Sequence, residues 1–224
     1  MKYFIFSLFL ITNCYALNSS TYLSGKKIYE TACISCHGED GNADVDLKFV
    51  VKPRSLRSSI LNMEQNYQII KYGARHWGAS SDMMPAFVSV YDEKKLQAIS
   101  YYIQTKFNPN SEQRVEELYE KSDKFSKEQY PKMMKLGEKI YKRNCCWCHG
   151  PNAKGDGKAT RNPKKTFYPY NLNKTLLTDK QMFLYAKYGG KYWGTSKTDM
   201  PSWKRKYDDF ALKSVILYIE ETFN

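Results

Sequence analysis

Two stretches, GKKIYETACISCHG at residues 25–38 and GEKIYKRNCCWCHG at residues 137–150, share the pattern Gly-x-Lys-Ile-Tyr followed by Cys-x-x-Cys-His. The second stretch begins 112 residues after the first. Two copies of one pattern at a fixed separation indicate an internal duplication. The fold should therefore consist of one structural unit used twice.

The correspondence continues along the chain at a separation of 116 residues. The residues that match there are Pro53 with Pro169, Leu56 with Leu172, Lys71-Tyr72-Gly73 with Lys187-Tyr188-Gly189, Trp77-Gly78 with Trp193-Gly194, Met84-Pro85 with Met200-Pro201, and Tyr102-Ile103 with Tyr218-Ile219. Each unit is thus about 94 residues long. The four extra residues of the second unit lie between His149 and Pro169, in a Gly- and Pro-containing stretch that is typical of a loop.

Both units show helical periodicity, and neither shows the alternation of a strand. Asn62 and Thr178 are predicted to cap the middle helix of each unit, and Gly73 and Gly189 to end it. Apolar residues of the closing helices recur at three- and four-residue steps at Leu96, Ile99, Ile103, Leu212, Val215 and Ile219. The predicted fold class is all-α, with two tandem domains.

The predicted organisation is a signal peptide at residues 1–16, an N-terminal domain at 17–110, a charged linker at 111–131 and a C-terminal domain at 132–224. Lys2, a short apolar run and small residues ending at Ala16 are typical of a cleaved secretory signal. The run is too short for a spanning helix, so no transmembrane segment is expected after cleavage. An acylated Cys14 is the alternative. The linker should carry one exposed helical stretch around residues 113–121.

The Cys-x-x-Cys-His motif is the attachment signature of c-type haem. Two thiols one helical turn apart can each form a thioether with a haem vinyl group, and the adjacent imidazole then binds the iron. The motifs assign the covalent attachment to Cys33, Cys36, Cys145 and Cys148, and the proximal ligation to His37 and His149. The predicted cofactors are two covalently bound haem c groups.

Other uses of paired cysteines fit less well. A thioredoxin-type pair requires a βαβ context, and a zinc site requires two further ligands for each cluster. Structural disulfides remain open, although they do not explain the histidine that follows each pair. Cys146, inside the second motif, is interpreted as a bystander thiol, with a redox role as the alternative.

The sixth iron ligand decides between carrying electrons and reacting with a bound molecule. Met84 and Met200 occupy equivalent positions before a proline, and they are the predicted ligands. Met83 competes in the first unit, but its counterpart is Asp199. His76, whose counterpart is a tyrosine, is predicted to lie in a loop or at the surface. Two matched tryptophans, Trp77 and Trp193, either donate to a haem propionate or wall the pocket.

With Cys-x-x-Cys-His early, Met-Pro late and an aromatic closing helix, each half resembles a class I cytochrome c. The whole chain is similar to the two-domain dihaem cytochromes c of the bacterial periplasm. The resemblance implies covalent haem at the four motif cysteines and axial ligation by His37, Met84, His149 and Met200. It also implies a periplasmic electron carrier between a quinol-oxidising complex or dehydrogenase and a terminal oxidase or reductase, rather than an enzyme.

Charge adds a prediction about partners. The chain has 35 Lys and Arg against 23 Asp and Glu, and residues 131–224 carry 19 of the former against 8 of the latter. Such a basic domain would steer an acidic docking patch of a membrane-bound respiratory complex or redox protein. Nucleic-acid binding is not expected of an exported haem protein.

Two alternatives for the function remain: a dihaem enzyme of the peroxidase or thiosulfate dehydrogenase type, and the haem subunit of a periplasmic dehydrogenase.

Overall fold

The computed structural model describes residues 19–46, 53–79, 84–161, 169–194 and 200–223. Within these ranges all regular structure is helical, which confirms the predicted fold class. The predicted signal peptide and Cys14 lie outside the described residues. No helix in the described ranges combines the length and the apolar character needed to cross a membrane.

Each half contains the same sequence of helices. The first half contains α1 (residues 19–28), α2 (Ile34–His37), α3 (Met63–Tyr72) and α4 (Glu93–Phe107), followed by α5 (Ser111–Glu120). The second half contains α6 (Tyr130–Ile140), α7 (Cys146–His149), α8 (Asp179–Tyr188) and α9 (Asp209–Phe223). A five-residue π-helical turn, Tyr29–Cys33 or Tyr141–Cys145, leads into each cysteine motif. Shorter 3-10 turns occupy Lys127–Gln129, Lys158–Arg161, Leu172–Lys174 and Gly190–Trp193.

The first and last helices of each half cross at a glycine. A Cβ atom at Gly25 would lie 2.0 Å from the backbone oxygen of Ala98, and one at Gly137 would lie 2.0 Å from that of Ser214. The absence of a side chain therefore lets the two backbones touch. This crossing places the cysteine motif, which follows the first helix, against the apolar core of its own half.

Aromatic rings fill the space beside each crossing. In the first half the rings of Tyr29 and Phe107 lie 5.1 Å apart, and in the second half those of Tyr141 and Phe223 also lie 5.1 Å apart. Tilted contacts at this distance are favourable beyond the area that they bury. The closing helix is thus held against the first helix in the same way twice.

The middle helices α3 and α8 begin and end as the sequence predicts. Asn62 and Thr178 cap their N-termini, and a glutamine three residues later completes a capping box in each helix. Both helices end at a glycine, Gly73 or Gly189, with a φ of 78°. That conformation is costly for other residues, and it turns the chain sharply at the end of each helix.

Helix α5 is less exposed than the sequence suggests. Val115 is buried in the core of the second half, and Leu118 and Tyr119 pack against the same core. Lys180 on α8 also pairs with Glu116 at 2.6 Å. The expectation of an exposed helical stretch is wrong because three apolar side chains share one face of this otherwise charged helix. The boundaries of the predicted domains stay a prediction.

The two halves contact each other through equivalent residues. The amide of Ser55 donates to the carbonyl of Gly194 at 2.9 Å, and the amide of Asn171 donates to the carbonyl of Gly78 at 2.8 Å. Ser55 matches Asn171 and Gly78 matches Gly194 at the repeat separation of 116 residues. One contact is therefore made twice, as in a two-fold symmetric dimer.

Candidate haem sites

The cysteines of each motif lie on a single helical turn. Helices α2 and α7 each span four residues, so the first cysteine of a motif precedes the helix and the second lies within it. No disulfide joins any of the five cysteines in the described residues. The alternative of structural disulfides is therefore wrong for these residues. The spacing leaves two thiols available to one ligand on the same side of the turn.

Burial keeps the first thiol of each motif protonated at neutral pH. Burial, followed by the neighbouring Cys36, raises the pKa of Cys33 to about 11. Burial, followed by Cys148 and Cys146, raises the pKa of Cys145 to about 12. Both thiols therefore keep the proton that addition of S–H across a haem vinyl group uses.

Each motif histidine has one ring nitrogen occupied by the protein. The Nδ1 atom of His37 lies 3.2 Å from the carbonyl oxygen of Arg54, and that of His149 lies 3.0 Å from the carbonyl oxygen of Tyr170. A donated N–H at Nδ1 fixes the tautomer and leaves Nε2 free to bind a metal. Burial lowers the pKa of both imidazoles, although the same hydrogen bonds oppose that effect. Both rings are therefore held neutral, the form that ligates iron.

A tyrosine hydroxyl fixes the chain directly after each histidine. Tyr29 donates to the carbonyl of Gly38 at 2.6 Å, and Tyr141 donates to that of Gly150 at 2.7 Å. The two glycines have φ values of 76° and 82°, so the chain turns back at this point. Burial is the main cause that raises the pKa of both tyrosines, and the hydroxyls therefore remain donors. The orientation of each motif helix is thereby tied to the first helix.

The two predicted methionine ligands occupy equivalent loops. Met84 packs against the core that contains Cys33, and Met200 packs against the core that Cys145 contacts. The carbonyl of Met84 accepts from Ala74 at 3.1 Å, and that of Met200 accepts from Gly190, also at 3.1 Å. Both loops thus lie at the end of a middle helix. Ligation of iron by Met84 and Met200 stays a prediction.

Each methionine loop fits closely against a glycine. A Cβ atom at Gly73 would lie 3.1 Å from the carbonyl oxygen of Met84, and one at Gly189 would lie 3.0 Å from that of Met200. The same glycines end the middle helices. In each half, one residue therefore ends the helix and allows the methionine loop to pack closely against it. The competitor Met83 lies outside the described residues.

The remaining candidate residues have definite places. His76 is exposed and stacks on Tyr72 at a ring separation of 5.2 Å, which confirms its prediction as a surface or loop residue.

The indole of Trp77 donates to the carbonyl of Gln68, and that of Trp193 donates to the carbonyl of Leu184, both at 3.1 Å. The propionate alternative for the tryptophans is therefore wrong, because a backbone acceptor already uses each indole N–H.

Cys146 contacts the apolar core of the second half, whereas its neighbour Trp147 is exposed. Cys145 packs against the same core. Its role as a bystander stays a prediction.

Sequence reasoning missed the residues that hold the two histidines. Arg54 and Tyr170 occupy equivalent positions, each directly after a proline. The histidines bind to backbone carbonyls, so no pattern of side chains could indicate these contacts. The matched prolines Pro53 and Pro169 are the one feature of the sequence that could have indicated a shared backbone role. The side chain of Arg54 also extends to the other half, where it donates to the hydroxyl of Tyr185 at 2.6 Å.

The residues of each half fit one haem c group. Two thiols lie on one turn outside any disulfide, a neutral imidazole has its Nδ1 atom fixed, and a methionine loop packs against the same core. When bound, haem iron supplies a one-electron couple. The chain supplies the attachment, the orientation and the apolar surroundings.

Comparison with known proteins agrees with this arrangement. The family of cbb3-type cytochrome c oxidase subunit III matches residues 20–103, and the cytochrome c family matches residues 134–223. No protein of curated function matches the chain significantly. Among solved structures, the reducing HAO-like protein complex of Kuenenia stuttgartiensis contains a similar chain, with 21% identity and a TM-score of 0.47 over 90% of this chain and 96% of that one. Each half is thus a cytochrome c domain with one covalently bound haem c, and the chain belongs to the dihaem class I cytochromes c.

Proposed function

We propose that this cytochrome carries electrons in the periplasm, from a quinol-oxidising complex or dehydrogenase to a terminal oxidase or reductase. The observation that carries the proposal is the placement of Met84 and Met200 in equivalent loops, each against the core of its own haem site. Iron held by histidine and methionine has both axial positions filled and a raised reduction potential. Such a site passes electrons and leaves no position for a substrate.

An anaerobic optical redox titration of the holoprotein tests this proposal. Both haems should show the methionine-to-iron charge-transfer band when oxidised, titrate at high potential and bind no carbon monoxide when reduced. A haem that titrates low or binds carbon monoxide would show that its methionine is not a ligand. The dihaem enzyme would then be the better hypothesis.

The second half supports an acidic redox partner. Gly157 packs against the carbonyl of Trp147, and the basic turn Lys158–Arg161 follows it directly. Trp147 is 59% exposed, in the motif that attaches the second haem. Within the described ranges, no carboxylate pairs with Lys158 or Arg161. An aromatic side chain beside uncompensated cations suits a partner with an acidic rim around an apolar centre.

Salt dependence tests this docking surface. The second-order rate of electron transfer to an acidic redox protein should fall steeply as ionic strength rises. Replacement of Lys158 or Arg161 by Glu should slow that rate at low salt, whereas Lys94→Glu, an exposed charge reversal in the first half, should change it much less. Equal effects of the three variants would show that total charge, rather than this surface, attracts the partner.

Export is the remaining part of the proposal. The amino-terminal pattern at residues 1–16 supports a cleaved signal, with the mature chain starting at Leu17. Terminal sequencing and mass measurement of the periplasmic protein would test it. A mature chain that starts at an acylated Cys14 would instead indicate a lipid-anchored carrier.

A further inference from the structure

The loop that follows each predicted methionine ligand has the same backbone in both halves. The amides of Phe87 and Trp203 each donate to a carbonyl of the middle helix at 3.0 Å. The amides of Tyr91 and Tyr207 close the same turn in each loop, also at 3.0 Å. The duplication thus places two loops of one shape beside two equivalent haem sites. A difference in function between the loops must come from the side chains that they expose.

The exposed tips of the two loops differ in charge. Residues 88–90 of the first loop read Val-Ser-Val, the apolar tip, and residues 204–206 of the second read Lys-Arg-Lys, the cationic tip. All six residues are exposed, and Val88 and Val90 expose 48% and 61% of their surface. An acidic pair follows each tip, at residues 92–93 and 208–209. The carboxylates therefore match, and the second loop differs by three added cations.

The cationic tip is joined to the helical segment that carries the second cysteine motif. The Nζ atom of Lys206 donates to the side-chain oxygen of Asn144 at 2.8 Å, and the amide nitrogen of Asn144 donates to the hydroxyl of Tyr207 at 2.7 Å. Trp147 lies three residues after Asn144, and its side chain is exposed. Residues three apart on a helix are neighbours. The tip and the indole thus form one surface beside the second haem site.

The first half lacks each part of this surface. Ala32 occupies the position of Asn144, and Ser35 occupies that of Trp147. An alanine side chain forms no hydrogen bond to a loop, and serine offers no aromatic ring. Each half holds one haem c, so the haem carboxylates contribute equally to both sides of this comparison. The difference in surface charge therefore belongs to the protein.

We propose that an acidic redox partner docks on the cationic tip and exchanges electrons with the second haem alone. The proposal deepens the electron-transfer function proposed above and rests on it. Cations beside an exposed aromatic side chain suit a partner whose carboxylates surround an apolar centre. Electrostatic steering brings such a partner to this surface, whereas the apolar tip does not attract it. The first haem therefore exchanges electrons with this partner only through the second haem.

Oxidised plant plastocyanin, an acidic copper protein, serves as the electron acceptor for the fully reduced holoprotein. Each transfer converts one haem iron from Fe(II) to Fe(III) and the copper from Cu(II) to Cu(I). Lys204→Gln combined with Lys206→Gln should slow this transfer about tenfold at low ionic strength. The control combines Lys132→Gln with Lys135→Gln, which removes the same charge from exposed positions of helix α6, and it should slow the transfer less than about twofold. Equal effects would overturn the proposal.

Replacement of one methionine at a time shows which haem meets the partner. Met200→His lowers the potential of the second haem, so an electron from the first haem must pass an uphill step. Each 59 mV makes that step tenfold less favourable, and the first haem should be oxidised at least about tenfold more slowly than in the parent. The charge-transfer band that remains in this variant belongs to the first haem and reports its oxidation. An unchanged rate would overturn the proposal.

Met84→His should have the opposite effect. It lowers the potential of the first haem, which makes transfer from the first haem to the second more favourable. The first haem should therefore be oxidised faster than in the parent. A tenfold slower oxidation of the second haem in Met84→His would show that electrons leave through the first haem, and would overturn the proposal.

Chemical cross-linking locates the docking surface independently of electron transfer. A carbodiimide joins carboxylates of the bound plastocyanin to neighbouring lysines, and the joined peptides are identified by mass. The cross-links should concentrate at Lys204 and Lys206. Cross-links that concentrate at Lys94 and Lys95, which follow the apolar tip, would place the partner on the first half and overturn the proposal. Haem content and thermal unfolding are measured first, so that folded holoproteins are compared.

A lipid surface is the other occupant that three cations could attract. Vesicles of anionic phospholipid test it with the same variants. If the tip variant loses binding to the vesicles but keeps the parental affinity for plastocyanin, the cationic tip binds lipid and the proposal is overturned. The expected result is the reverse, a loss of affinity for plastocyanin.

Cross-linking and binding of carbon monoxide together separate this inference from the function on which it rests. If both haems exclude carbon monoxide but the cross-links lie outside the second loop, the carrier function stands and the docking site is wrong. If a haem binds carbon monoxide but the cross-links still concentrate at the cationic tip, the docking site stands and the carrier function is wrong.

Discussion

Gln65 and Gln181 exchange side-chain hydrogen bonds across the contact between the two halves. The amide nitrogen of Gln65 donates to the amide oxygen of Gln181 at 2.7 Å, and the reverse bond measures 2.9 Å. The two residues are equivalent in the repeat, and each also donates to a carbonyl of the other half. The approximate two-fold axis therefore passes between two copies of one residue, both buried.

Replacement of one glutamine should lower the free energy of unfolding by more than half of the loss in the double variant. Gln65→Ala removes the hydrogen bonds that Gln181 makes with Gln65 across the axis, and each such bond contributes about 0.5–1.5 kcal/mol. The double variant removes both partners, so its loss should be smaller than the sum of the two single losses. Urea unfolding of the holoprotein measures each free energy.

Gln68→Ala is the matched control for this prediction. Gln68 lies on the same helix and pairs with Glu64 at the surface, so its loss should remain within about 0.5 kcal/mol. Additive losses in the double variant would show that the two glutamines act only as separate helix caps.

The glycines at the helix crossings should not tolerate a methyl group. Gly25→Ala and Gly137→Ala each place a Cβ atom against a backbone oxygen that cannot rotate away. Overpacking of this kind costs about 1–3 kcal/mol, which corresponds to roughly 4–8 °C for each kcal/mol in a domain of this size. Thermal unfolding measures the effect. Ser24→Ala, at an exposed neighbouring position, should have the same unfolding temperature as the parent. An equal decrease in Ser24→Ala would show that helix α1 is sensitive to substitution in general, and not only at the crossing.

Much of this fold could be predicted because its signals are local. The cysteine motifs, the capping residues Asn62 and Thr178 and the glycines that end the middle helices each depend on neighbours in the sequence. The repeat strengthened every one of them, because a match at a fixed separation is unlikely for residues without a shared structural role.

The contacts between the halves could not be predicted in the same way. Gln65 and Gln181 already have a local explanation as the third residue of a capping box, and that explanation hides their second role. Arg54 resembles a surface arginine, since the sequence does not show which ring lies opposite it. The burial of Val115 was missed because helix α5 is charged on most of its surface, and one apolar face is a weak signal.

Cys146 should be dispensable for haem attachment. Cys146→Ser should yield a protein with two covalent haems, whereas Cys145→Ser should lose one thioether bond. Mass measurement of the intact chain counts the haems directly. A single haem in Cys146→Ser would contradict this prediction and give Cys146 a part in haem attachment.

Stability should depend on pH through Glu220 on helix α9. Burial, followed by the charges of Asp179 and Glu221, raises the pKa of Glu220 from 4.5 to about 6. The native state therefore binds this proton more tightly than the unfolded chain, so the contribution of Glu220 is most favourable below about pH 4.5. That contribution is lost as pH rises through about 6.

Glu220→Gln should therefore match the parent at low pH and exceed its stability above about pH 6. The gain should be below about 1 kcal/mol, because water screens a group that is only partly buried. Urea unfolding at pH 4.5 and pH 7.5 measures it, with the exposed Glu39→Gln as the control. A gain that is equal at both pH values would show that the charge of Glu220 is not responsible.

Replacement of each methionine should change one haem and spare the other. Met84→His should remove the charge-transfer band and lower the potential of the first haem only, because imidazole in place of thioether sulfur favours oxidised iron. Met200→His should do the same for the second haem. Met63→Leu, at an exposed methionine of the first half, should leave both potentials unchanged. If Met84→His leaves the first potential unchanged, the neighbouring Met83 becomes the candidate ligand; if both potentials move in either variant, the two sites are coupled more strongly than their separate cores suggest.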